Sequence, residues 1–121
     1  MVRVVIPAGI LLCSAVMPPP AKAGFFTGNE MVAKCEVSRD SPVYYASDAF
    51  CSAYVMGVFD DNETLNAVLG KRLYCTSPDM TGKQVRDVAV AYMERHPESR
   101  HESASLLVLK SFTEAFPCPS K

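Results

Sequence analysis

Cysteine is the residue type with the most chemical potential in this chain of 121 residues, which contains five of them. They are Cys13, Cys35, Cys51, Cys75 and Cys118, and the last four are separated by gaps of 16, 24 and 43 residues. A thioredoxin-type redox site, a zinc knuckle or a c-type haem would need two cysteines with two residues between them, which this sequence lacks. A nucleophilic cysteine activated by a histidine would need a free thiol. The spacing therefore favours structural disulfides over cysteine chemistry.

The first 23 residues have the form of a secretory signal peptide. One positive charge at Arg3 precedes an apolar run from Val4 to Met17, and Ala21-Lys22-Ala23 places small residues where a signal peptidase reads. The apolar run is shorter than the roughly 20 residues of a membrane span, and a proline interrupts it. We therefore predict cleavage after Ala23, which removes Cys13 and leaves an exported domain of residues 24–121.

Four cysteines remain in that predicted domain, and in an oxidising compartment they are expected to form two disulfides. The sequence alone allows three pairings. We favour Cys35 with Cys51, which would join the first predicted helix to the second, and Cys75 with Cys118, which would tie a central loop to the C-terminus. The chain-entropy model assigns about 3 and about 4 kcal/mol to loops of these lengths.

Three acids stand within the four residues Asp60-Asp61-Asn62-Glu63. They lack the alternating acids and the central glycine of a calcium loop. They could dock onto a basic rim of a partner, since complementary charge speeds association, or they could form a solvated helix junction. The candidate partner-binding residues are Phe59, Asp60, Asp61 and Glu63.

The other polar residues give no pattern typical of an enzyme. His96 and His101 lie five residues apart, which is not the spacing of a helical zinc pair, and there is no Gly-x-Ser-x-Gly motif. We predict no catalytic site, no metal and no cofactor. The 12 Lys and Arg residues balance 13 Asp and Glu residues, so a nucleic-acid partner is not expected. Tyr44, Tyr45 and Tyr54 could form an aromatic contact patch, or Tyr54 could pack in the core.

Capping signals predict most of the helices that must position these residues. Thr27 and Glu30 form one capping box, with a helix over about 28–36, and Thr81 with Gln84 forms another, with a helix that ends at His96-Pro97. Ser99 with Glu102 has the same capping form, and a last helix is predicted over about 100–115. Its residues 106–109 are apolar on all sides, so this helix is expected to be the centre of the bundle or part of a homodimer interface.

The middle of the chain predicts a second helix that begins with Ser41 as its cap and runs towards Phe59. Its buried face would consist of Ala46, Ala49, Phe50, Ala53 and Gly57. A glycine within a helix costs about 1 kcal/mol relative to alanine, so we expect a neighbour to approach Gly57 closely. Because acids are unfavourable at the end of a helix, we expect Asp61 or Asn62 to cap a new short helix over 63–69, closed by Gly70. Strand signals are poor, and the predicted fold is all-α, a compact bundle of about four to five helices stapled by two disulfides.

With these elements in place, the sequence resembles the Rap/Tai family of small exported proteins, whose studied members are immunity proteins against peptidoglycan-amidase effectors of type VI secretion. The resemblance spans nearly all of residues 24–121. Its motifs are Phe25-x-x-Gly28-Asn29 with Cys35, Cys51-x-x-Tyr54-x-x-Gly57-x-x-Asp60, Cys75 with Pro78, Gln84-Val85-x-Asp87-Val88, His96-Pro97 with Arg100, and Ala104-x-x-Leu107-Val108 leading to Ala115-Phe116-Pro117-Cys118-Pro119.

The resemblance implies a periplasmic helical domain, often a homodimer, that binds a cognate amidase and blocks its active-site cleft. It implies no association with the membrane once the signal peptide is removed. The alternative is a general periplasmic helical protein, such as an acid-stress holdase or an envelope assembly factor, with no cognate toxin. An amidase encoded nearby would favour the first interpretation.

Overall fold

Helices form the whole framework of the protein, as the sequence predicts. The structure is a computed structural model that describes residues 24–120, so the predicted signal peptide and its cleavage after Ala23 lie outside the described residues. Within that range the elements are α1 (Gly28–Cys35), α2 (Tyr44–Leu69), α3 (Gly82–Arg95), a 3-10 turn (Pro97–Ser99) and α4 (Ala104–Ala115). The prediction of an all-α fold is confirmed.

Two of the three predicted capping boxes are present, and the third is wrong. Ser99, predicted to cap the last helix with Glu102, lies in the 3-10 turn, and Ser103 is the N-cap of α4 without a side-chain cap. The Thr27 hydroxyl accepts from the Glu30 amide at 3.3 Å, and the Glu30 carboxylate accepts from the Thr27 amide at 2.7 Å. Thr81 and Gln84 make the same reciprocal pair at the start of α3, at 3.3 and 2.8 Å. Each pair satisfies two amide donors that have no partner within the helix.

The prediction that the second helix breaks at the acidic stretch is wrong. A single helix of 26 residues, α2, passes through residues 60–63 and ends at Gly70, whose backbone is left-handed at φ 64°. Asn62 does not cap a new helix, because its side chain is buried and bonds to the following loop instead. The acids therefore lie inside α2, away from the negative end of the helix that would disfavour them. The start also differs: Val43, not Ser41, is the N-cap, and it makes no side-chain cap.

The predicted buried face of α2 is also wrong. The residues that face the core are Ser47, Cys51, Val55 and Asn62, whereas Ala46, Ala49, Ala53 and Gly57 are exposed and Phe50 is half-buried. A Cβ placed on Gly57 would have open space around it. Within residues 24–120 it would have no heavy atom within 4 Å, apart from its chain neighbours and the backbone of its own helix. The expected close approach to Gly57 is therefore absent.

The last helix, α4, packs against α1, α2 and α3, as each of the four helices packs against the other three. Leu107 and Val108 are fully buried and Leu109 is partly buried, while Leu106 keeps 43% of its surface exposed. The helix begins at Ala104 rather than near residue 100, because the 3-10 turn intervenes and the Ala104 amide donates to the Phe26 carbonyl at 2.8 Å. The core also contains Met31, Val55, Tyr74, Val85, Ala89, Met93 and Phe112.

Two disulfides connect these elements, and the favoured pairing is confirmed. Cys35 is bonded to Cys51, which joins the end of α1 to the middle of α2. Cys75 is bonded to Cys118, which joins the loop after α2 to the segment after α4. Each bond closes a loop of the unfolded chain and so raises stability.

Candidate partner-binding surface

The predicted acidic residues lie together on the outside of α2. Asp60, Asp61 and Glu63 are all exposed. Glu63 pairs with Arg72 at 3.2 Å, while Asp60 and Asp61 make no ion pair with any other residue of the described range. We refer to these three acids as the acidic rim. An exposed carboxylate without a cation beside it leaves a negative potential that a basic partner would meet.

Phe59 belongs to the core side of the same turn. Its ring packs edge-on against Phe112 at 5.4 Å and lies 5.7 Å from the ring of Tyr74. The Phe59 carbonyl accepts from the Tyr74 hydroxyl at 2.8 Å. The structure therefore separates Phe59 from the acidic rim, since its ring is held among other aromatic rings beneath the surface.

Buried hydrogen bonds hold the loop after α2 against the acidic rim. The Asn62 amide nitrogen donates to the Tyr74 carbonyl at 3.2 Å, and the Leu73 amide donates to the Asn62 oxygen at 2.9 Å. Burial raises the pKa of the Tyr74 hydroxyl, and the charges of the acidic rim raise that pKa further. Hydrogen bonds therefore hold the loop beside the acidic rim in place, and the Tyr74 hydroxyl there is uncharged at neutral pH.

An apolar groove adjoins the acidic rim, between α2 and α4. Its volume is about 740 Å³, and Asp61 stands at its edge. The apolar residues that line it include Ala53, Gly57, Leu65, Leu73, Leu106 and Leu109. Sequence reasoning missed this groove, although one signal was available: four consecutive apolar residues at 106–109 cannot all face the core of one bundle. Leu106 is the one that turns outward.

The tyrosines do not gather into one patch. The ring of Tyr54 packs against Phe26 and Phe50, with centroids 5.9 and 6.2 Å away. Tyr44 and Tyr45 contact each other edge to face at 5.3 Å, near the start of α2. Tyr54 therefore supports the fold, and the exposed Tyr45 stands apart from the groove.

His96 makes contacts with its neighbours in the chain, and His101 is exposed. The ring of His96 lies 4.4 Å from that of Tyr92 and 3.0 Å, by its Nδ1, from the Glu98 carboxylate. Across residues 24–120, no three His, Cys, Asp or Glu side chains are grouped so as to hold a metal ion. All four cysteines in this range are paired, so none is a free nucleophile.

None of the helices in the described part of the chain is both long enough and apolar enough to span a membrane. Comparison with curated proteins yields no match. Comparison with protein families matches residues 27–118 to the model described as Rap1a immunity proteins, which covers all four helices and both disulfides. The protein therefore belongs to the Rap1a immunity protein family, and it is an immunity protein and not an enzyme.

Proposed function

We propose that this protein protects a cell by binding a peptidoglycan amidase effector of type VI secretion and blocking the active-site cleft of that enzyme. Membership of the Rap1a immunity protein family carries the proposal. An immunity protein acts by binding, which requires a durable surface more than a reactive one. The acidic rim and the adjoining groove supply such a surface.

The protein acts in the periplasm, where peptidoglycan and its amidases meet. Two disulfides support this location, because such bonds form and persist on the oxidising side of the membrane. The predicted signal peptide, with cleavage after Ala23, is the route of export.

The effector binds at the acidic rim and the groove beside it. Asp60 and Asp61 meet basic residues around the amidase cleft, which speeds the encounter, while Glu63 contributes less because Arg72 offsets its charge. Leu73 and Leu106, each about two-fifths exposed, supply apolar contacts beside the charges. Phe59 contributes from beneath by holding Tyr74 and the loop after α2 in place.

The protein forms a homodimer through the first half of α2. The exposed residues Ala46, Ala49, Ala53 and Gly57 form one face, here called the small-residue face. They recur at the three- and four-residue steps that align side chains along one side of a helix. Because none carries more than a methyl group, a helix of a second copy could cross here at close range. Ala53 and Gly57 also line one end of the groove, so the dimer contact covers that end. The effector then has the acidic rim and the part of the groove formed by Leu65, Leu73 and Leu106.

An amidase encoded beside the gene for this protein is the natural partner for the test. The two are co-expressed in the periplasm, and cell survival, the dissociation constant and hydrolysis of peptidoglycan are measured. We expect survival, tight binding and loss of hydrolysis. Failure to bind would contradict the proposal, while binding with full hydrolytic activity would contradict blocking of the cleft.

A matched pair of variants locates the binding surface. Asp60→Lys with Asp61→Lys reverses two charges of the acidic rim, and Asp40→Lys with Asp79→Lys makes the same change in net charge at two other exposed acids. We expect the first variant to slow association by about tenfold at low salt, with a smaller difference at high salt. Equal association rates for the two variants would place the effector elsewhere.

A further inference from the structure

Arg86 on α3 reaches across to the disulfide that joins α1 and α2. Its Nε donates to the sulfur of Cys51 at 3.4 Å, and its Nη2 donates to the carbonyl of Cys35 at 3.1 Å. The same guanidinium pairs with Asp48 of α2 at 2.9 Å, and the Arg86 side chain is only 21% exposed. A positive charge is therefore held against one particular sulfur of the pair.

The two sulfurs of this disulfide differ in their surroundings. Cys51 is fully buried, whereas Cys35 is half-buried at the end of α1. An attacking thiolate from solution therefore meets Cys35 before Cys51. Attack at Cys35 leaves the electron pair of the broken bond on Cys51, which is the sulfur that faces Arg86.

A cation beside a cysteine favours the thiolate over the thiol, and a more stable thiolate is a better leaving group in thiol–disulfide exchange. Burial of Cys51 acts in the opposite direction, and Asp48 offsets part of the positive charge. The N–H of Arg86 is directed at the Cys51 sulfur, and a charge-assisted hydrogen bond is about twice as strong as a neutral one.

The second disulfide offers an internal comparison. Cys118 is exposed and Cys75 is half-buried, with the Cys75 amide donating to the Phe116 carbonyl at 2.9 Å. Within residues 24–120, one positively charged side chain donates a hydrogen bond to a disulfide sulfur. It is Arg86, and the sulfur is that of Cys51. Of the two disulfides within residues 24–120, the bond between Cys35 and Cys51 is the one with a cation hydrogen-bonded to a sulfur that could leave as a thiolate.

We propose that Cys35 and Cys51 form a thiol-exchange site at which Arg86 stabilises Cys51 as the leaving thiolate. The partner is a small thiol or the dithiol site of an oxidoreductase. Its thiolate attacks the Cys35 sulfur, the bond between Cys35 and Cys51 breaks, and a mixed disulfide on Cys35 and a thiolate on Cys51 result. Attack by Cys51 on the mixed disulfide restores the original bond and releases the partner thiolate. This site is independent of effector binding.

Reduced glutathione is the probe for the full exported chain. Exchange is quenched with acid, and mass spectrometry of peptides identifies the cysteine that carries glutathione. We expect glutathione on Cys35, and we expect Arg86→Gln to slow this exchange by about tenfold while exchange at Cys75 and Cys118 keeps its rate. Arg86→Lys keeps the positive charge and should restore most of the rate. Arg72→Gln, which removes an exposed guanidinium elsewhere, should change neither rate.

Glutathione found mainly on Cys51, or equal rates for the original protein and a folded Arg86→Gln variant, would overturn the proposal. Circular dichroism shows whether that variant folds. If it does not, two single-cysteine variants replace it: Cys35→Ser exposes the Cys51 thiol with Arg86 intact, and Cys118→Ser exposes the Cys75 thiol. Thiolate absorbance should then appear at lower pH for Cys51 than for Cys75, and the reverse order would refute the role of Arg86.

Discussion

Asn62 on α2 and Tyr74 in the following loop are joined by a buried hydrogen bond, in which the Asn62 amide nitrogen donates to the Tyr74 carbonyl at 3.2 Å. The Asn62 oxygen at the same time accepts from the Leu73 amide at 2.9 Å. A single side chain therefore pairs two backbone groups of a loop that has no regular structure of its own. The acidic rim depends on this attachment, because the loop packs directly beneath it.

Replacing Asn62 with alanine should lower the free energy of unfolding by about 2 kcal/mol. The change leaves the Tyr74 carbonyl and the Leu73 amide without their partner, and an unpaired buried polar group costs about 1–3 kcal/mol. Urea denaturation followed by circular dichroism measures the effect. Asn66→Ala, one turn later in α2, is the control and should cost less than about 1 kcal/mol. Similar values for both variants would contradict the role given to Asn62.

Asn62 also shows where sequence reasoning about α2 fails. An asparagine after two acids has the local form of a helix cap, and the local signal is all that a sequence displays. In the structure its amide is used by residues 11 and 12 positions away. The capping boxes at Thr27 and Thr81 were predicted correctly, since both partners lie within three residues. The same local form at Ser99 does not start an α-helix there, so the local signal does not always decide.

The orientation of α2 could have been inferred from one residue. Cys51 must face Cys35 if the two are bonded, and this places Ser47 and Val55, one turn to either side, on the buried face. The alanines and Gly57 form an equally regular pattern on the other side, so hydrophobic periodicity alone does not decide between them. The groove depends on this choice, which explains why it was not predicted.

Stability at alkaline pH should depend on Tyr74. Its pKa in the folded protein lies above the ordinary value of about 10, because burial and the acidic rim disfavour the phenolate. The folded state therefore holds the proton more tightly than the unfolded chain does. The stabilisation is complete below pH 10 and is lost progressively as the pH rises above 10 towards the pKa of the folded state.

The measurement is the free energy of unfolding of the original protein and of Tyr74→Phe between pH 8 and pH 11. Phenylalanine removes the ionisable group, so the variant should lose less stability above pH 10. At pH 8 the variant should be less stable by about 1 kcal/mol, since the hydrogen bond to the Phe59 carbonyl is lost. Tyr45→Phe, at a site that is 84% exposed, should follow the original protein. Parallel pH curves for Tyr74→Phe and the original protein would rule out this linkage.

Removing the two disulfides separately should give different losses of stability. The bond between Cys75 and Cys118 spans 43 residues and that between Cys35 and Cys51 spans 16. The chain-entropy model predicts losses of about 4 and about 3 kcal/mol when each pair is replaced by alanines. Urea denaturation of the two double variants tests the order. A larger loss for the shorter loop would show that the contacts of Arg86 and the buried Cys51, rather than chain entropy, dominate.

Substitutions at Gly57 separate the stability of one copy from the association of two. The position that a Cβ would occupy is open, so Gly57→Ala should raise the free energy of unfolding by about 1 kcal/mol.

Gly57→Leu should also fold, but its bulk should keep two small-residue faces from meeting. Sedimentation should then show a dimer for the original protein and a monomer for Gly57→Leu. Ala33→Leu, at an exposed site on α1, should remain dimeric. Loss of stability in Gly57→Ala would contradict the open position of Gly57, and a dimeric Gly57→Leu would place the contact between copies on another surface.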